Sequence, residues 1–194
     1  MTLVFSHVEA DRPVIDLIRE ARPPFSPESV VGEFCETLAA YKIRRVQGDR
    51  YAGQWPAEQF QKRGVRYEPA DKTASQLFLE FLPLVNGGRV ALLDHHRLID
   101  QLINLERRTS FGTGRDTIGH PPGCHDDLAV AVASSAVLAT AKRPRMRMGA
   151  IDWAGTRNGR VYYADEEPEH SRIRFVTITE QEDLRQRGLA DGTE

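Results

Sequence analysis

The sequence predicts an α/β fold, a sheet covered by helices on both faces, followed by a less regular C-terminal extension. Three observations carry this. Runs rich in β-branched and aromatic residues alternate with stretches whose apolar residues recur at every third or fourth position. Clusters of Pro and Gly punctuate the boundaries between them. The alternation stops after Lys142, where Arg143-Pro144-Arg145 breaks the last helix.

Taken in order, Thr2 to Val8 reads as a strand, and Val14 to Ile18 as a second one after the turn-like Ala10-Asp11-Arg12-Pro13, which predicts a hairpin. Ser26 is a natural N-cap with Pro27 at the first helical position, and Val30, Val31, Phe34, Cys35 and Leu38 mark one buried helical face. Ile43 to Asp49 is a short strand ending on Gly48-Asp49. Gln54 to Arg63 is helical and closed by Gly64, and Val65 to Pro69 is a further strand. A helix from about Lys72 to Asn86 carries Leu77, Phe78, Phe81, Leu82 and Val85, with Pro83 as a kink point, and Gly87-Gly88 ends it. Arg89 to Leu93 reads as a strand, His96 to Arg108 as an amphipathic helix, and Thr109 to Gly123 as a polar, Gly-rich loop. The last helix runs from Asp126 to Lys142. Beyond it only Val161-Tyr162-Tyr163 and Ile173 to Ile178 are strand-like, separated by an acidic run. These boundaries divide the chain into residues 1–143 and an extension, 144–194, that is a small hairpin or weakly structured.

At 194 residues with 40% hydrophobic content, the chain can bury a sizeable core. A net charge of −2 argues against a nonspecific polyanion binder while leaving room for a locally basic groove. Two distant cysteines, Cys35 and Cys124, build no disulfide framework and point to a reducing cytoplasm. With no second Cys at zinc spacing, a zinc site is not expected. No apolar run approaches the ~18 residues of a membrane span, and no basic-then-apolar leader opens the sequence.

The chemistry concentrates in Gly123-Cys124-His125-Asp126-Asp127-Leu128, where a Pro/Gly loop gives way to an Ala/Val/Leu helix. One acid in a first turn is ordinary, because the helix dipole and free N–H groups favour negative charge there. Two in succession on a helix apolar enough to be buried repel each other unless a cation neutralises them. Asp49, at the carboxyl end of a strand, stands where open α/β sheets place ligands. Brought together with Asp126 and Asp127, it makes an all-oxygen site suited to Mg²⁺ or Mn²⁺. A turn residue after a strand is the competing assignment for Asp49.

Several pieces, in this order, resemble the C-terminal nuclease domain of a phage terminase large subunit. They are Thr2-Leu3-Val4-Phe5-Ser6-His7, Arg22-Pro23-Pro24-Phe25-Ser26-Pro27, Gly48-Asp49-Arg50-Tyr51-Ala52-Gly53, Tyr67-Glu68-Pro69 before Lys72, Gly88 to Asp94, and His125-Asp126-Asp127-Leu128-Ala129. The resemblance implies an RNase H-like mixed sheet flanked by helices and a two-metal endonuclease that cuts concatemeric viral double-stranded DNA. It gives Asp49, Asp126 and Asp127 the catalytic and metal-binding roles, with His125 orienting or capping the pair. Lys72, Arg107, Arg108 and Arg115 would line a basic surface for phosphates, although a solvated surface charge is the competing assignment for each. The portal protein, the small terminase subunit and an upstream ATPase segment would be partners, in the cytoplasm of a host cell carrying the phage or prophage gene.

The family pattern has one more acid, on a first and central strand upstream of the one beginning at Thr2, and an ATPase with a phosphate-binding loop that this sequence lacks. Met1 therefore falls inside the pattern, as an internal methionine of a longer gene or a truncated prophage copy would. Without that central strand, its two neighbours must pair directly, leave unpaired backbone groups, or borrow a strand. Glu9, Asp11, Asp16 and Asp94 are poorly placed as substitute acids. Two alternatives stand beside a partial terminase nuclease. One is a stand-alone RNase H-like nuclease. The other is a non-catalytic module docking on a partner such as the portal through tail aromatics (Trp153, Tyr162, Tyr163, Phe175).

Overall fold

The computed structural model describes residues 1–48, 54–109, 112, 114, 116–141 and 175–179. It opens with a hairpin of β1 (Thr2–Glu9) and β2 (Arg12–Glu20). The two turn residues, Ala10 and Asp11, have φ of 46° and 68°, the left-handed pair that matches strand twist in a two-residue connection. Helix α1 (Pro27–Ala40) begins as the sequence predicts, with Ser26 Oγ accepting from the Ser29 N–H and Pro27 in the first turn. Then come β3 (Arg45–Gly48), α2 (Trp55–Lys62), β4 (Arg66–Pro69) and α3 (Ala74–Asn86). A reciprocal Thr73–Gln76 capping box starts α3, which continues through Pro83.

Downstream the structure departs from the sequence expectations in two places. The strand expected over Arg89–Leu93 reduces to a single bridge, in which Ala91 exchanges two backbone bonds with Pro13 and Ile15 of β2. The helix expected to reach Arg108 ends at Ile103 as α4 (His96–Ile103), capped by Asn104. The charged residues after it turn into β5 (Glu106–Thr109), which pairs antiparallel with β6 (Asp116–Gly119) inside the expected loop. The apolar stripe of α4 ends with that helix, and the exposed Glu106-Arg107-Arg108 finds cross-strand partners instead. Helix α5 (Asp127–Ala141) follows.

The main sheet has the order β2-β1-β7-β3-β4, where β7 is Phe175–Thr179 from the C-terminal extension. Of the three outcomes expected for the strand at Thr2 and the strand ending at Gly48, a strand lying between them is the one found. β7 lies antiparallel to β1 (Thr2 opposite Thr179, Ser6 opposite Phe175) and parallel to β3 (Gly48 opposite Ile178). The strand-like piece at Val161–Tyr163 lies outside the described residues.

Helices cover both faces, each over its own core. On one, Val4 and Ile15 meet Leu77, Phe78 and Phe81 of α3, Leu98 of α4, and α5. On the other, Met1, Leu3 and Phe5 meet Val31, Phe34 and Leu38 of α1, together with Val46 and Phe60. This division follows the alternation of β1, even positions to one face and odd to the other. An Arg97–Glu20 ion pair at 2.7 Å joins α4 to β2.

Candidate functional site

Helix α5 is buried around most of its circumference, with Leu128, Ala129, Ala131, Val132, Ala133 and Ala136 removed from solvent. Its small side chains let it lie close to β1 and β7 and against α3 and α4. Within this packing, Ser6 and Ser135 join hydroxyl to hydroxyl at 2.6 Å. Such a helix holds its first turn in a fixed place relative to the sheet.

That first turn carries the acids. Asp127 is the first residue of α5 and is 8% exposed. Asp126, just before it, is partly buried, and its carbonyl accepts the first helical bond from Val130 N at 2.8 Å. The buried Gln101 side chain of α4 accepts the Ala129 N–H at 2.9 Å, satisfying one of the amides that a helix start leaves unpaired. The sequence reading missed Gln101, which stands on the apolar stripe of α4 with nothing local to announce a partner 28 residues away. It also missed His120, whose Nε2 lies 3.8 Å from Asp126 Oδ1. His125 is exposed, and so is Cys124.

Of the predicted acids, Asp126 and Asp127 are adjacent at the head of α5, while Asp49 lies outside the described residues directly after β3. Among the described residues no group of three His, Cys, Asp or Glu side chains converges closely enough to hold a metal ion. The described donors that fit a divalent ion are the Asp126 and Asp127 carboxylates, hard oxygen ligands in a partly desolvated setting, with the His120 imidazole facing one of them. The central strand supplies no further acid, since Phe175-Val176-Thr177-Ile178-Thr179 contains none.

The predicted phosphate contacts lie on two elements. Lys72, before α3, pairs with Glu80. On the β5–β6 hairpin Arg107 pairs with Asp116, and Arg108 reaches Glu106 at 2.7 Å. The bond from Arg107, then a bond from Thr109, holds the Asp116 carboxyl below its ordinary range, and the same pairing raises Arg107 further. The hairpin is tied to α3 by the Ile118 N–H, which donates to Ser75 Oγ at 2.9 Å. Arg115 lies outside the described residues. Each described basic candidate is thus held by a carboxylate, with Arg107 and Arg108 exposed and Lys72 half-buried.

No family model and no curated protein sequence matches the chain. Solved structures do. The large terminase nuclease of thermophilic phage G20c is 23% identical, covering 73% of this chain and 75% of that one, with a TM-score of 0.57. The same nuclease with bound magnesium gives 22% identity over 71% and 74% of the two chains, TM-score 0.57. The large terminase nuclease domain of Thermus phage P74-26 is 18% identical over 69% and 77%, TM-score 0.53. With the mixed sheet and its two helical layers, these likenesses give the chain the RNase H-like fold of the large terminase nuclease domains.

Proposed function

We propose that this chain is the nuclease domain of a DNA-packaging terminase, a divalent-metal-dependent endonuclease acting on double-stranded DNA. The observation that carries the reading is the Asp126–Asp127 pair at the head of the buried helix α5, packed against β1 and β7 of an RNase H-like sheet. Asp126 and Asp127, with Asp49 after β3, would hold Mg²⁺ or Mn²⁺. When bound, such an ion supplies positive charge to a phosphodiester and lowers the pKa of a bound water. The protein's own share is rigidity: α5 and Gln101 fix the carboxylates before any ion arrives. His125 would flank the pair as a capping group.

DNA would lie across the face that carries the acids. Lys72, Arg107, Arg108 and Arg115 would contact phosphates without reading sequence, the described ones by exchanging an intramolecular carboxylate for a phosphate oxygen. Residues 1–143 would form the nuclease unit, which the extension joins through β7. The motor ATPase, the portal and the small terminase subunit would be its partners in packaging, in the cytoplasm of the host cell.

A supercoiled-plasmid nicking assay with Mn²⁺ tests the reading. Metal-dependent nicking abolished by Asp127→Ala and by Asp49→Ala is expected; nicking that both substitutions leave intact overturns it. One observation favours a second reading, a non-catalytic packaging module: the sequence of the central strand, Phe175–Thr179, contains no carboxylate. Complete silence in the assay, together with retained binding to a partner such as the portal, selects that reading instead.

A further inference from the structure

The amino ends of β3 and β4 gather positive charge from two connections. Lys42, Arg44 and Arg45 lead from α1 into β3, and Lys62, Arg63 and Arg66 lead from α2 into β4. Each connection leaves its helix through one left-handed residue, Lys42 at φ 57° and Gly64 at φ 76°, and enters its strand within three residues. Because β3 and β4 are parallel, with Arg45 opposite Arg66, both connections arrive at one sheet end. There the Arg66 N–H donates to the Arg44 carbonyl at 2.8 Å. Lys42, Arg44, Arg45, Lys62 and Arg66 are exposed. Two carboxylates reach this group: Glu68 lies 3.4 Å from Arg45 and 3.2 Å from Arg66, and Glu28 lies 3.8 Å from Arg63. Among the described residues Lys42, Arg44 and Lys62 form no ion pair. Helix carboxyl ends attract cations, which accounts for Lys42, Lys62 and Arg63. It does not account for Arg44, Arg45 and Arg66 at the strands.

We infer that this sheet end is a second contact surface for the phosphate backbone of double-stranded DNA. The inference rests on the DNA-handling reading above but needs no metal ion. Like charges held this close repel one another, and a polyanion relieves that repulsion. Four of the six cations are arginines, whose planar fork matches a phosphate with two parallel bonds. Lys72, Arg107 and Arg108 must each release a carboxylate to meet DNA, whereas Lys42, Arg44 and Lys62 release none. Tyr41, 45% exposed beside Lys42, adds a hydroxyl that can donate to a phosphate oxygen. The four residues of β3 separate this surface from the strand's carboxyl end by about 10 Å. That is short against the ~34 Å of one DNA turn, so a single duplex can touch both ends of the sheet.

The test is binding of a short fluorescein-labelled duplex to the full chain by anisotropy, in chelator and across a series of KCl concentrations. Lys42→Gln/Arg44→Gln/Lys62→Gln should weaken binding at least about tenfold and reduce the slope of log K against log[KCl] by about 2–3. Arg44→Glu alone should reduce that slope by about 1–2 and serves if the triple variant does not fold. Arg12→Gln/Arg89→Gln, which removes exposed charge at the β2 edge on the other side of the sheet, should leave affinity within about twofold. An unchanged slope in the triple variant overturns the inference alone, because the nicking assay reads the carboxylates. Polyglutamate that binds the wild type as tightly as the duplex does at equal salt also overturns it, in favour of an acidic polypeptide. Wild type that binds no duplex at any salt fails the DNA-handling reading, and this inference with it.

Discussion

Gly48 ends β3 immediately before Asp49, and the reason it must be glycine lies on the neighbouring strand. A β-carbon there would sit 2.0 Å from Tyr67 Oη and 2.1 Å from the ring carbon that bears it. The ring is itself stacked on Phe60, centroids 5.9 Å apart, so it has little room to retreat. Gly48→Ala should therefore cost about 1–3 kcal/mol in urea unfolding, by overpacking. Tyr67→Ala in the same chain should recover part of that loss, and additive effects would contradict the contact. The sequence shows a Gly-Asp closing a strand but not the tyrosine lying over it. Thr177 on β7 illustrates the opposite case. Its side chain is 2% exposed, and its hydroxyl finds no hydrogen-bond partner among the described residues. Thr177→Val, near-isosteric and without the buried hydroxyl, should raise stability by about 1 kcal/mol in the same measurement. A loss of stability would mean that the hydroxyl is satisfied.

Elements with short-range signals were the legible ones. The β1–β2 hairpin follows from its turn, α1 from its Ser-Pro start, and α5 from its run of small, mostly apolar residues beyond the Pro121-Pro122-Gly123 break. The β5–β6 hairpin was not legible, because its strands are short, exposed and charged, and only their mutual pairing makes them strands. That pairing is titratable. Asp116 is held below the ordinary carboxylate range chiefly by the bond from Arg107, so the folded hairpin binds this proton less readily than the unfolded chain. Its contribution is complete above the unfolded value of about 4 and is lost as pH falls through the depressed folded one. Amide exchange at Arg107–Thr109 should accelerate in that acid window, while Asp116→Asn should show fast exchange already at pH 7. Gln101 makes the corresponding point for α5. Gln101→Leu leaves the Ala129 amide without its buried acceptor and should cost about 1–3 kcal/mol, together with weaker metal binding from a loosened first turn. Unchanged thermal unfolding would deny Gln101 that role.

Across the whole molecule, the arrangement that local sequence could not give is the place of β7. Ile173–Ile178 reads as strand-like, but nothing near it names partners that lie at the opposite end of the chain. What determines its position is demand elsewhere: β1 and β3 each present a ladder of backbone groups on their facing edges, and one strand satisfies both. The resulting sheet places β7, from the far end of the sequence, between β1 and β3, the position at which a central strand is expected from the sequence. The register makes the equivalence testable. Thr179 lies opposite Thr2 across an antiparallel pair, so the end of β7 adjoins the start of β1, as in a hairpin. The Met1 nitrogen already donates to the Ala21 carbonyl at 2.9 Å, a bond that a peptide N–H would retain. A variant carrying residues 171–180 ahead of Met1 through a turn of about two to five residues, and ending at 142, should fold with the same sheet. Because it closes a short loop in place of a long one, its urea midpoint should equal or exceed that of the full chain. Removing residues 171–194 without that transfer should strip both ladders and give concentration-dependent association through the bared edges. If the shortened chain remains monomeric and as stable as the original, β7 is not the strand that completes the sheet.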